Sequence, residues 1–219
     1  MSHFFSRVTL SESAVYDPWF QTQLQKGEAY RDHALIWQLF PEDGRERDFV
    51  FRCHDNGRQY WVVSARKPQP VPNLLHVESK PYLPVLDIGE RVHFDLRANP
   101  VVSQRREGQR SQRHDVLLHL RHRSTDHTVT PADLEQAGRD WLLPRTERWG
   151  LEVVESSLSQ NGYCQHRLRN KGREIAYSSL DYQGVATVTD AQCLQQVLLE
   201  GVGHAKGFGC GLLLVKRLG

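Results

Sequence analysis

Thr189-Asp190-Ala191-Gln192-Cys193-Leu194-Gln195-Gln196-Val197-Leu198-Leu199-Glu200 runs into Gly201-Val202-Gly203-His204-Ala205-Lys206-Gly207-Phe208-Gly209-Cys210-Gly211 and then into Leu212-Leu213-Leu214-Val215. The first part predicts a helix. Thr189 and Gln192 have the spacing of a capping box, Leu194, Val197 and Leu198 follow at helical spacing, and Gly201 stands where a C-terminal glycine belongs. The last part predicts an apolar strand. Between them are five glycines in eleven residues, more than one turn requires. Glycine permits positive φ and close approach of another backbone. A nucleotide-binding P-loop is excluded by element order, because there a strand leads into the loop and phosphate meets a helix N-terminus. Here the loop follows the partially negative C-terminal end of a helix. The spacing alone leaves two readings, a loop packed onto another domain or a loop lying against a ligand.

Working outward, Arg91 to Asn99 predicts a strand ended by Pro100. Pro131 opens a helix that reaches at least Trp141. Strand-like segments at Tyr163 to Arg169 and Glu174 to Val188 flank the turn Asn170-Lys171-Gly172. With the closing helix and strand, this half has the β-α-β-β-α-β order of a ferredoxin-like domain. The first half fits the same order less fully. A strand at Phe4 to Leu10 leads to a helix start at Asp17-Pro18. After an interruption at Gly27, a helix runs from Glu28 to Phe40 and stops at Pro41. Phe49 to Cys53 and Tyr60 to Ala65 form a hairpin around Asp55-Asn56-Gly57, then a proline-rich passage from Lys67 to Pro72 leads to extended chain ending near Pro84. The fold class expected is α+β, two tandem ferredoxin-like (RRM-like) domains. Leu86 to Glu90 is the junction, giving domains 1–88 and 89–219.

The 219 residues are 39% hydrophobic and 25% charged, which suits a globular protein of one large or two small domains. No apolar run approaches the roughly 20 residues that a membrane-spanning helix needs. Met1-Ser2-His3-Phe4-Phe5 lacks the basic-then-apolar layout of a signal peptide, so a cytoplasmic protein is expected. Cys53, Cys164, Cys193 and Cys210 are scattered without a paired spacing, so free thiols are expected and no metal site. The net charge of +2 is unevenly spread. Gln104 to Arg123 holds six arginines (105, 106, 110, 113, 121 and 123) against Glu107 and Asp115, a local +4 that suits a polyanion. On the helix after Gly27, Ala29, His33, Ile36 and Phe40 share one apolar face, with Tyr30 near its edge. Periodicity alone reads His33 as a partly buried structural histidine.

The pattern Gly201-x-Gly203-x-x-Lys206-x-x-Gly209-x-Gly211-Leu212-Leu213 resembles the glycine-rich signature of the Cas6-type CRISPR repeat endoribonucleases. Tyr30-x-x-His33 followed by Trp37-x-Leu39-Phe40-Pro41 resembles that family's N-terminal catalytic helix. Leu96-Arg97-Ala98-Asn99-Pro100 resembles the strand that opens its second domain. The last two blocks are similar to the CasE branch, the RNA-processing subunits of type I-E Cascade complexes. The matching blocks span positions 30 to 212 in the family order.

The resemblance implies an enzyme that binds the hairpin of CRISPR repeat RNA and cuts once at its 3′ base, without metal or other cofactor. The 2′-hydroxyl upstream of the cut attacks the adjacent phosphate, leaving a 2′,3′-cyclic phosphate and a 5′-hydroxyl. The product stays bound and the protein joins the other Cascade subunits. Tyr30 and His33 become the catalytic pair. Their i, i+3 spacing puts them about 5–6 Å apart at Cβ, within reach of one phosphodiester, and histidine titrates near neutral pH. Arg105, Arg106, Arg110 and Arg113 become a basic finger on the RNA stem, where backbone and shape contacts dominate. Arg97, Lys206 and the glycines 201, 203, 207, 209 and 211 join the RNA surface. Arg167, Arg169, Lys171 and Arg173 form a second, weaker basic turn. Two alternatives remain: a non-cleaving RNA-hairpin-binding subunit of the same fold, and a protein scaffold whose arginines meet an acidic partner.

Overall fold

The computed structural model describes residues 3–41, 46–104, 112–123, 129–170 and 173–219. In the first half, β1 (His3–Leu10) is followed by α1 (Pro18–Leu24), α2 (Glu28–Trp37), β2 (Phe49–Cys53), β3 (Gln59–Ser64) and β4 (Leu75–Tyr82). Asp17 caps α1 by accepting from the Phe20 N–H at 2.9 Å, with Pro18 in the first turn. Gly27, at φ +90°, separates α1 from α2. The helix expected to reach Phe40 ends at Trp37, and turns at Leu39 and Phe40 carry both side chains into the core. The β2–β3 turn closes as Asn56 Oδ1 accepts from the backbone N–H groups of Arg58 and Gln59.

These strands form an antiparallel sheet in the order β2-β3-β1-β4, the ferredoxin-like arrangement. Its second crossover helix is missing. The chain between β3 and β4 carries Pro68, Pro70 and Pro72, which lack the N–H that a helix interior needs.

The second half contains β5 (Arg91–Ala98), β6 (Val101–Gln104), β7 (Gln112–Asp115), α3 (Val116–Arg123), α4 (Pro131–Arg148), β8 (Leu151–Val153), β9 (Ser159–Asn170), β10 (Arg173–Val188), α5 (Ala191–Glu200) and β11 (Leu213–Arg217). Its sheet runs β11-β5-β10-β8, and β9 also pairs with β10. The second strand position is therefore shared by β8 and β9, again in ferredoxin-like order. The hairpin β6–β7 and helix α3 are inserted between β5 and α4. Thr130 and Asp133 form a capping box at α4. The box expected at Thr189 and Gln192 is replaced by a simpler cap: Asp190 accepts from the N–H groups of Gln192 and Cys193. A carboxylate one residue nearer the helix outcompetes the threonine hydroxyl for those donors.

Each half has its own core between sheet and helices, the first around Phe51, Tyr60, Leu35 and Ile36, the second around Phe94, Leu96, Tyr182, Leu194 and Leu198. Residues on the opposite sheet faces join the halves. Val50, Val63 and Leu212 are buried together, with Phe5, Trp61, Tyr82 and Leu214 packed around them. Beside this apolar patch lies a polar one. Arg52 bonds to Asp95 and lies 3.8 Å from Asp181, while Arg97 holds Asp181 through two bonds of 2.7 Å. The tandem ferredoxin-like fold expected from element order is therefore present, with the two sheets linked through matched charge and apolar contact.

Candidate active site and nucleic-acid interface

Helix α2 carries Tyr30 and His33, with ring centroids 6.3 Å apart. Its seat on the sheet is set by Asp32, which is buried and accepts from the Tyr60 hydroxyl on β3 and from Arg31, both at 2.8 Å. Burial pushes the Asp32 carboxyl up, against the opposing pull of Arg31 and Tyr60, and pushes the Cys53 thiol beside it up to about 12. With α2 held this way, His33 reaches the second half. Its Nδ1 lies 2.8 Å from the carbonyl oxygen of Gly207, and its ring lies 5.4 Å from that of Phe208. A carbonyl only accepts, so Nδ1 is the donor and the neutral ring keeps its Nε2 lone pair free. Burial lowers the His33 pKa below its ordinary value, and the Arg47 charge adds to this while the Gly207 bond opposes it. The neutral imidazole is therefore the resting form near pH 7. Periodicity correctly suggested a partly buried histidine, but its hydrogen bond lies across the domain junction.

The glycine loop is shaped by backbone approach. Gly211 has φ +88°, and a Cβ there would stand 2.2 Å from the Val202 carbonyl oxygen, which no side chain tolerates. Gly201 has φ +69°, and a Cβ there would meet the Gly211 carbonyl at 2.8 Å and Val50 of the first half at 2.9 Å. Gly209 lies near Phe51, and Gly207 sits between Arg47 and His33. A Cβ on Gly203 would enter open space. Three of the five glycines, 201, 207 and 211, thus serve close packing, in part onto the first half, while Gly209 and Gly203 serve their positive φ.

Lys206, expected as the loop's charged contact, donates at 2.9 Å to the carbonyls of Glu200 and Gly201, neutralising the C-terminal end of α5. Arg97 likewise turns to Asp181, and lies 3.9 Å from Asp55. Arg113 is exposed on β7, and Arg167 is exposed on β9. Arg105, Arg106, Arg110 and Lys171 lie outside the described residues, as do the side chains of Arg169 and Arg173. Among the described residues no group of three or more His, Cys, Asp or Glu side chains could hold a metal ion, and no helix is long and apolar enough to cross a membrane.

Sequence reasoning missed three features. Arg47, an exposed residue, projects beside Gly207 and His33, where partial desolvation of its guanidinium lowers its pKa. Tyr177 stacks on Phe208 at 5.2 Å and His166 stacks on Tyr177 at 4.5 Å, so a ladder of rings runs from His33 through the glycine loop to the β9–β10 hairpin. A third is the amide of Asn99, whose Oδ1 is buried with no hydrogen-bond partner among the described residues. Only the alternation of β10 hints at Tyr177; the other positions depend on contacts far apart in sequence.

Two ferredoxin-like halves, packed face to face with the His33 imidazole and a glycine-rich loop meeting at their junction, define a class of tandem-domain proteins. The family model described as CRISPR associated protein matches residues 3–217, and the chain belongs to that family. It is 26% identical over 197 residues to "CRISPR system Cascade subunit CasE" of Escherichia coli, covering 87% of this chain and 93% of that protein. It is 27% identical over 191 residues to "CRISPR-associated endoribonuclease Cse3" of Thermus thermophilus, covering 83% and 79%. The structure of Thermus thermophilus Cse3 bound to an RNA representing a pre-cleavage complex superimposes with a TM-score of 0.71 at 21% identity, covering 99% of this chain and 100% of that one. This likeness shows the shared fold.

Proposed function

We propose that this chain is an endoribonuclease that binds the repeat hairpin of CRISPR precursor RNA, cuts once at its 3′ base, and stays on the product as a Cascade subunit in the cytoplasm. The observation that carries this is the His33–Gly207 bond: it orients the imidazole and leaves Nε2 as a proton acceptor beside Tyr30 and Arg47. The names of the two relatives, an endoribonuclease and a Cascade subunit, support the same reading. Domains 1–88 and 89–219 supply, respectively, the catalytic helix and the RNA-holding elements.

In the step proposed, the 2′-oxygen forms a bond to phosphorus as the bond to the 5′-oxygen breaks. The 2′-hydroxyl gives up its proton and the departing 5′-oxygen gains one. His33 Nε2 takes or supplies a proton, and Tyr30 donates a hydrogen bond to the phosphate or assists the other transfer. A positioned proton-transfer group contributes about 10²–10⁴-fold. Arg47 faces the charge that develops on the phosphate. These side chains supply the proton transfers and the charge neutralisation by themselves, so no metal enters the proposed step. Arg113 and Arg167, with Arg105, Arg106 and Arg110, track the backbone of the stem.

The test is incubation with the repeat RNA of the protein's own host in EDTA, followed by end-group analysis. A single cut leaving a 2′,3′-cyclic phosphate and a 5′-hydroxyl is expected. His33→Ala should abolish cleavage and keep hairpin binding. Full activity of that variant would sink the assignment of His33, and binding without cleavage by the native protein would favour a non-catalytic RNA-binding subunit.

A further inference from the structure

The short turn Lys206–Phe208 presents two groups to His33. The Gly207 carbonyl accepts from Nδ1 at 2.8 Å. The next residue, Phe208, lays its ring against the imidazole, with centroids 5.4 Å apart and planes 35° from parallel. The hydrogen bond fixes one ring nitrogen but permits rotation about the N–H···O axis, and that rotation swings Nε2. A second ring packed against the imidazole opposes it. The turn itself is tightly held. Ala205 before it has φ +57° and Gly209 after it has φ +84°, and the Ala205 carbonyl accepts from the Phe208 N–H at 2.8 Å. Left-handed backbone at a residue with a Cβ persists only where its surroundings enforce it, and such positions cluster at functional sites.

Behind Phe208 the support continues. Tyr177 stacks on it at 5.2 Å and 18°. Tyr177 and His166 oppose each other across β10 and β9, and their rings stack at 4.5 Å and 15°. His166 Nε2 lies 2.9 Å from the hydroxyl of Ser179, a buried residue two positions along β10 from Tyr177 and so on the same face. The hairpin thus fixes His166, His166 backs Tyr177, and Tyr177 backs Phe208. Cavities of about 350 and 310 Å³ open beside the ladder, and all three of these rings line both. With open space there, stacking rather than a close-packed core holds Phe208 in place.

We propose that Phe208, backed by Tyr177, is a positioning residue for His33: its ring fixes the plane of the imidazole and so the aim of Nε2. The inference rests on the proposed ribonuclease activity and gives a role in it to two residues that need not touch the reacting atoms. A catalytic group works only when held within about 0.5 Å and 10–20° of its productive geometry, by neighbours that are themselves locked.

The test is single-turnover cleavage of the host's repeat hairpin over a range of protein concentrations. Tyr177→Leu should lower the rate at saturation about 10- to 100-fold, the scale of a misplacement near 1 Å. The half-saturating concentration should change less than about twofold, because no substrate contact is lost. Tyr177→Phe keeps the ring and should cleave at the native rate. Phe208→Leu should lose a factor like that of Tyr177→Leu, and the double variant no more than the larger single loss, since both act through one contact. In the free native protein, nuclear Overhauser contacts should join the His33 and Phe208 ring protons, and Tyr177→Leu should weaken them. The proposal is overturned if Tyr177→Leu cleaves within about twofold of native, or if its binding falls as much as its rate. It is equally overturned if the two single losses multiply in the double variant, or if Tyr177→Phe is as slow as Tyr177→Leu. Absence of the ring contacts in the native protein overturns it even where a variant fails to fold. Failure of the native protein to cut any repeat hairpin would instead overturn the parent activity, while the ring contacts still test the positioning.

Discussion

Replacing Arg47 with glutamine should raise the pKa of His33. A Cβ built on Gly207 would stand 2.9 Å from Arg47 Nη1 and 3.4 Å from His33 Nδ1. The two nitrogens are therefore no more than about 6 Å apart, where unit charges repel by roughly 0.7 kcal/mol in bulk water and about 3 kcal/mol at an effective dielectric of 20. Arg47 is exposed, so solvent and salt place the effect toward the lower end. At 1.36 kcal/mol per unit, the expected rise is about 0.5–1 pKa unit. The sign follows from charge. Arg47 disfavours the imidazolium, as its part in lowering the His33 pKa indicates, so its removal makes protonation easier. The assay is an imidazole NMR titration of the free protein at low salt, with the His33 signals identified by their absence in His33→Ala. The limb of the cleavage pH profile that His33 governs should move upward by the same amount. An unchanged or lower His33 pKa in Arg47→Gln, with an unchanged melting temperature, would refute this account of the site.

Gly211→Ala should cost about 3 kcal/mol or more, because left-handed backbone strain of ~1–2 kcal/mol is joined by a collision with the Val202 carbonyl, whereas Gly203→Ala should cost only the strain. Thermal melting should separate them, at about 2–4 °C per kcal/mol for a chain of this size. Asp181→Ala leaves Arg97 without its bidentate partner and should cost about 3–5 kcal/mol, measured by denaturant unfolding. Lys206→Met should lower stability by about 0.5–1 kcal/mol through the uncapped end of α5. The salt slope of hairpin binding should stay at the native value, and a fall of about one would assign Lys206 to a phosphate.

Local rules made much of the fold legible. The Asp17-Pro18 helix start, the turn around Asn56-Gly57, and the close of α5 at Gly201 are each decided within a few residues by backbone donors, acceptors and allowed φ. The periods of the strands and helices then gave the ferredoxin-like order of the second half and most of the first. The missing crossover helix was hinted at by the prolines between β3 and β4. The Thr189 cap went wrong by one residue, since two adjacent capping side chains compete for the same donors and only geometry decides between them.

The sequence by itself determined most helices and strands (though not β6, β7, α3 or β8), where the glycine loop lies, and that His33 sits on an apolar helix face, because these follow from propensity and spacing along one chain. Only the tertiary structure decided what the loop and the charges do. His33 and Gly207 are 174 positions apart, and their bond exists only because both sheets pack with α2 against the loop. The same packing turns Lys206 onto a helix end, gives Arg97 to Asp181, and encloses the Asn99 amide. A charged side chain adopts whichever partner the fold brings within reach, and that choice is made by contacts distant in sequence.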